Sequence, residues 1–191
     1  MELAFSFVFG LALGFSLTVP PGPMNMLIAS QTVRSLRAGV ITGLGAMSAD
    51  LVLGVLVYAL RSSVDIGSVV RWVYLLGAGV MVFFAIRVLR APGAPAPDLA
   101  GSLRTYSQGV AVGLTNPFQV LWWITAGLAF AYLGGVVLFV GLFAAVLVWV
   151  LVFPYALHLG TRGRPRLERV VPYVSAAIMC AFAVYFAVLA A

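Results

Sequence analysis

Long runs of apolar residues, separated by short segments that carry arginine, occupy the whole chain. A helix that crosses the hydrocarbon core of a bilayer needs about 20 apolar residues, and six segments qualify: 3–34, 40–60, 70–89, 106–132, 135–157 and 170–190. Transmembrane strands alternate apolar and polar residues, whereas these runs are continuous. The pattern therefore predicts an all-α integral membrane protein with six transmembrane helices, of which the first and fourth are broken at prolines.

The longest polar stretch, "RAPGAPAPDLAGSLR", divides the chain into two halves of three predicted spans each. We expect a first repeat at 1–95, a cytoplasmic linker at 96–105 and a second repeat at 106–191. Because three is an odd number, the second half enters the membrane inverted relative to the first, which is a common plan of transporters. Both halves open alike, with "SLTVPPGPMN" and "GLTNPFQ".

Composition and charge agree with a membrane location. Only 8% of the 191 residues are charged, against about 25% in soluble domains. All cationic side chains are arginines, and nine of them follow predicted spans 1, 3 and 5, which predicts a cytoplasmic side for these connections and an outside location for both termini. Arginines at span ends indicate topology, so no nucleic-acid partner is expected. The chain opens without a basic, cleavable leader, so the first span is expected to be permanent.

The prolines of spans 1 and 4 are expected to begin new half-helices at membrane depth. Asn116 and Pro117 suit the N-cap and first position of a helix, and Pro23 suits the same first position after Pro21 and Gly22. Glycine is expected to permit whatever turn precedes it. A simple kink, or a loop at the cytoplasmic surface, is the alternative for span 1.

Combined with the topology, the two half-helices would point their N-termini, with the free N–H groups of residues 24–26 and 118–119, towards the membrane centre. Such ends favour an anion such as a carboxylate. Asp50, about midway along span 2, has no basic neighbour within ten positions, and acids at this depth usually mark a pathway or relay. It is expected to bind an ammonium, a proton, or each in turn; a structural hydrogen bond between helices is the alternative.

A positive end for a carboxylate and an acid for an ammonium together outline a site for a zwitterion. Gln119 and Trp123 share a helical face with Asn116, and this face is expected to line the cavity. The single cysteine, Cys180, excludes an intrachain disulfide and is expected to be a buried packing residue. Three glycine pairs at a spacing of four residues should let helices approach closely: Gly10/Gly14, Gly39/Gly43 and Gly109/Gly113.

At these motifs the sequence resembles the LysE/RhtB-type amino-acid exporters. The resemblance rests on "PPGPMNMLIASQTVRSLRAGVITGLGAMSAD", "YLLGAGVMVFFAIRVLR" and "GLTNPFQVLWW" and extends over nearly the whole chain. It implies a small inner-membrane exporter that works as a homo-oligomer and is driven by protons or the membrane potential. The family motifs correspond to these substrate-site positions: Pro21, Gly22, Pro23, Asn25, Asp50, Asn116 and Pro117.

The sequence departs from the family in one place. Many members have Lys-Ala after the Asn-Pro, where this chain has Phe118 and Gln119. The loss of a cation and the gain of aromatic residues leave the substrate class open.

The sequence thus predicts a secondary transporter that exports amino acids or related zwitterions, with Asp50 also coupling protons. A passive channel and an exporter of a cation or metal ion remain alternatives. An intramembrane enzyme is not favoured, because no GxSxG or metal motif accompanies the lone His158. No cofactor and no metal site are expected; the partners are the solute, membrane lipid and, as an open question, further copies of the chain.

Overall fold

A computed structural model describes residues 2–60, 66–90, 99–127 and 135–190, and within these ranges the regular structure is helical. Eight α-helices and one π-helical turn follow one another along the described chain. They are α1 (Glu2–Thr18), α2 (Pro23–Arg34), α3 (Leu36–Leu60), α4 (Ile66–Arg90), α5 (Leu99–Thr115), α6 (Pro117–Trp122), the π-helical turn (Trp123–Gly127), α7 (Val136–Thr161) and α8 (Pro165–Ala190).

Three of the described helices, α3, α7 and α8, are long and apolar enough to cross a membrane, and α1 with α2 forms a fourth candidate as one bent span. The predicted span 70–89 lies within α4, and the described part of the predicted span 106–132 is formed by α5, α6 and the π-helical turn. Residues 128–132 lie outside the described residues, and the crossing of the membrane by both spans stays a prediction. Helix α5 begins at Leu99, so part of the expected linker 96–105 is helical. Its start follows Pro97, the last proline of the polar stretch.

Both proline segments interrupt their helices where the sequence indicated. Helices α1 and α2 meet at 77°, and α2 begins with Pro23 in its first turn. Gly22 precedes it with φ −165° and ψ 178°, an extended conformation that any residue can adopt, so the conformational freedom expected of this glycine is not used here. The second interruption lies at Asn116, between α5 and α6.

The helices pack in three extensive pairs, α1 with α7, α3 with α5, and α4 with α8. Glycines make the first two pairs close, because a Cβ at Gly10 would collide with the carbonyl oxygen of Leu138, and one at Gly109 with that of Thr42. The close approach expected of the pairs Gly10/Gly14 and Gly109/Gly113 is thereby confirmed, whereas the pair Gly39/Gly43 lies against the side chains of Thr32 and Val150. Gly113 likewise lies against Ala49.

Apolar side chains also cover much of the outer surface. On α3 the exposed set includes Leu51, Val52, Val55 and Leu56, each at least 45% exposed. Soluble monomers rarely present contiguous apolar surface of this extent, so these faces suit contact with lipid tails. Cys180 lies on the exposed surface of α8, and the prediction of a buried thiol is wrong; a small, weakly polar thiol is compatible with an apolar environment.

We expect Gly109→Ala to lower the thermal stability of the protein in detergent. The added methyl group would force α5 away from α3, and overpacking of this kind costs about 1–3 kcal/mol. The matched control is Gly79→Ala in α4, where a Cβ meets nothing within 4 Å and alanine favours the helix by up to about 1 kcal/mol. Thermal unfolding followed by tryptophan fluorescence compares the two; equal melting temperatures would contradict the packing described.

Candidate functional site

A cavity of about 260 Å³ lies where both broken segments meet α3, α7 and α8. Most of the predicted site residues line it: Pro21, Gly22, Pro23, Asn25, Asp50, Asn116 and Gln119. Pro117 and Trp123 do not belong to its wall. The structure therefore brings together residues that are up to 98 positions apart in the sequence, and it does so through the two helix interruptions.

Asp50 is held on the cavity wall by two hydrogen bonds from the second broken segment. Gln119 Nε2 donates to Asp50 Oδ1 at 2.7 Å, and Trp123 Nε1 donates to the same oxygen at 2.8 Å. Oδ2 accepts no hydrogen bond from the described residues, among which no fully buried side-chain nitrogen or oxygen lacks a partner. The second carboxylate oxygen therefore keeps some accessible surface, and Asp50 belongs to the cavity wall.

Trp123 lies behind Asp50 rather than on the cavity wall. Its indole is buried, at 1% exposure, and fits beside two glycines: a Cβ at Gly54 or at Gly127 would meet the ring at 2.9 Å or 2.6 Å. The ring also stacks on Phe143. The expectation that Gln119 and Trp123 share a face is met, but only Gln119 reaches the cavity, and Trp123 orients the carboxylate.

Asn25 provides hydrogen bonds to the backbone at the first helix interruption. Its Nδ2 donates to the backbone oxygens of Thr18 at 2.7 Å and Pro20 at 3.0 Å, and its Oδ1 accepts from Trp149 Nε1 at 3.1 Å. Carbonyls that lose their helical donors at membrane depth need new partners, and one side chain supplies both. Trp149 ties this arrangement to α7.

The N-termini of α2 and α6 differ in how many donors they leave free. Met24 and Asn25 lie in the first turn of α2, where backbone N–H groups have no helical acceptor. Met26 N–H, by contrast, donates to Gly22 O at 3.0 Å. Phe118 N–H donates to the N-cap oxygen Asn116 Oδ1 at 3.3 Å. The expected free donors at Met26 and Phe118 are thus occupied, because the caps that begin these helices use them.

Several wall residues were not predicted from the sequence, among them Ser16, Trp149 and Phe182. Trp149 and Phe182 lie in long uniformly apolar helices, α7 and α8, whose sequences give little indication of which face is buried. A lone indole in the middle of α7 was the one available signal. Phe118 also lines the cavity, at the position where many of the exporters that the sequence resembles have lysine.

We expect Asn25→Ala to destabilise the protein more than Trp149→Phe. The first change leaves the carbonyls of Thr18 and Pro20 without donors, which costs about 1–3 kcal/mol for a buried group. The second removes one hydrogen bond and keeps an aromatic ring, at about 0.5–1.5 kcal/mol. Thermal unfolding of the purified variants ranks them, and a higher melting temperature for Asn25→Ala than for Trp149→Phe would show that the break does not depend on this side chain.

Comparison with known proteins identifies the family. No curated protein and no solved structure matches the chain. The model of the family described as LysE type translocator matches residues 15–190, a range that contains every residue of the cavity wall. The chain therefore belongs to the LysE type translocator family and is a multi-pass membrane protein of a transport family.

Proposed function

We propose that the protein is a secondary active transporter that exports amino acids or related small zwitterions across the cytoplasmic membrane. One observation carries the proposal: a reachable carboxylate oxygen of Asp50 and the first turn of α2 face the same cavity of about 260 Å³. This volume lies just below the ~300–1,000 Å³ of pockets for drug-sized ligands and suits one small solute.

The ammonium of the solute would bind at Asp50. With Oδ1 already fixed by Gln119 and Trp123, Oδ2 is the oxygen left to accept from a cation or to take a proton. A buried carboxylate without a counter-ion is costly, so occupation by an ammonium in one state and a proton in another would keep it neutralised through the cycle. Binding of the ammonium and binding of the proton are thereby both assigned to Oδ2 of Asp50.

The carboxylate of the solute would bind at the opposite pole, the first turn of α2. Its N–H groups at Met24 and Asn25 and the positive end of the helix dipole favour an anion. Asn116 adds a donor, because its Oδ1 accepts from Phe118 N–H while its Nδ2 donates to none of the described residues. Both groups line the cavity that Asp50 lines.

The arrangement of helix pairs supports two inverted repeats with six spans. In the two predicted halves, α1 corresponds to α5, α3 to α7 and α4 to α8. This correspondence turns the pair α1–α7 into the pair α5–α3 and the pair α4–α8 into itself, so the three extensive pairs of the fold are consistent with it. Contacts in the first pair join Gly10 to Leu138 and Gly14 to Leu142, so these helices run parallel. Parallel packing of α1 with α7 requires an odd number of spans between them, and the predicted spans 2, 3 and 4 meet this requirement.

Alternating access would open and close the two sides of this cavity in turn. On the side towards the end of α2, Gln31 Nε2 donates to Gln108 Oε1 at 3.0 Å and links α2 to α5. This contact lies on the expected cytoplasmic side. We propose that it closes that side and separates when solute enters.

We expect Asp50→Asn to abolish exchange of amino acids in proteoliposome counterflow. Asparagine keeps an oxygen for the bonds from Gln119 and Trp123 but cannot pair with an ammonium, and truncating one member of a buried charge pair costs about 2 kcal/mol or more, roughly 30-fold in affinity. Glu168→Gln, at an exposed acid of α8, is the matched control and should exchange like wild type. Unchanged exchange in Asp50→Asn would refute the site, and flux without counterflow would indicate a channel.

We also expect the connection before α7 to face outward and the one after it to face the cytoplasm. In a Cys180→Ser background, Gly135→Cys should react with an impermeant maleimide in intact cells, whereas Arg164→Cys should react only after permeabilisation. Both positions are exposed, so reactivity reports the side of the membrane. The reversed labelling pattern would overturn the orientation, with both termini then inside.

A further inference from the structure

We propose that the solute is a neutral amino acid with a bulky apolar side chain, aliphatic or aromatic. This inference rests on the proposed function and narrows it to one substrate class. It rests on three properties of the cavity wall: its charges, the hydrogen bonds that its polar side chains already make, and its aromatic side chains.

The charges of the cavity wall favour a solute with an uncharged side chain. Among the described residues that line the cavity, Asp50 is the one ionisable group, and the ammonium common to all amino acids neutralises it. A side-chain carboxylate would find no cation there, and a second ammonium would find no second acid. Because burying an unpaired charge is strongly unfavourable, acidic and basic amino acids fit the cavity poorly.

Asn116 Nδ2 is assigned to the solute's carboxylate, and three other polar side chains of the wall, Ser16, Thr18 and Asn25, already make hydrogen bonds within the protein. Ser16 Oγ donates to Leu13 O, and Thr18 Oγ1 donates to Gly14 O, each at 2.9 Å or less. Asn25 is engaged through both its amide nitrogen and its oxygen. A hydroxyl or amide on the solute's side chain would therefore exchange water for a surface with few free partners, which disfavours threonine, serine and asparagine.

The remaining wall is apolar and rich in aromatic rings. Phe118, the residue next to Gln119 on α6, points towards α8, where its ring centroid lies 5.2 Å from that of Phe182 and 5.3 Å from that of Phe186. Gln119 contacts Asp50 on α3 instead. Because Asp50, Phe118 and Phe182 line the same cavity, a solute with its ammonium at Asp50 can extend an apolar side chain towards Phe118 and Phe182.

The size of the cavity agrees with this class. Its volume of about 260 Å³ is roughly that of nine water molecules in the liquid, at about 30 Å³ each. Glycine or alanine would leave much of it unfilled, and the apolar contacts that stabilise binding grow with the area that leaves water. A side chain of the size of leucine, methionine or phenylalanine uses the space.

Counterflow with pairs of similar shape tests the inference on the unaltered protein. Valine should exchange roughly 10- to 100-fold better than its isostere threonine, the range in which apolar pockets reject an added hydroxyl. Leucine should exceed asparagine, and methionine should exceed lysine. If threonine or lysine exchanges as well as its apolar counterpart, the substrate class is wrong while amino-acid export stands. If no amino acid exchanges, both proposals fall.

A variant pair then tests the aromatic wall. Phe182→Ala should raise the KM for leucine at least about tenfold over that for alanine, because it removes the surface that only a long side chain reaches; the loss of one buried aromatic contact has this size. Phe83→Ala, at a 54% exposed ring of α4 outside the cavity, should leave both values unchanged. Phe182→Leu, which keeps apolar volume, should fall between them. An unchanged ratio of the two KM values in Phe182→Ala would overturn the role of the aromatic wall.

Discussion

A carbonyl group that loses its helical donor at membrane depth must find another, and the amide of Asn25 meets this requirement at the first break of the fold. By donating to Thr18 and Pro20, it allows α1 to end and α2 to begin at an angle of 77°. Without such a donor the break would leave unsatisfied backbone groups, at several kcal/mol each in lipid. The cavity exists because this break is stable.

The second break is stabilised by other contacts than the first. Asn116 caps α6 through Phe118 N–H, and two consecutive side chains of α6 contact different helices, Gln119 at Asp50 of α3 and Phe118 at α8. Pro117 lies against Gly77 of α4, where a Cβ would collide with the proline ring. One short helix therefore touches the acid, the aromatic wall and a third helix, so a movement of α6 would change all three at once.

Features that depend only on residues close together in the chain could be predicted from the sequence. Proline removes a backbone donor wherever it stands, so both helix interruptions could be placed, and a lone acid in an apolar run identified Asp50. Gln119 was assigned to the cavity from its spacing alone. Residues whose role depends on tertiary packing could not be assigned: Trp149 bonds to a residue 124 positions away, and Trp123 is drawn behind Asp50 because Gly54 and Gly127 leave room for its ring. Likewise, nothing local distinguishes the lipid-facing side of α8, where Cys180 lies, from its buried side.

The three extensive helix pairs have a consequence for how the chain is made. Each joins a helix that ends before residue 91 to one that begins after residue 98. During synthesis, the glycine-lined faces of α1 and α3 enter the bilayer before the helices that will cover them exist. The first half must therefore wait, with lipid or another membrane component against these faces, until α5 and α7 arrive. The time needed to synthesise the residues between α3 and α5, and between α1 and α7, sets the length of that wait.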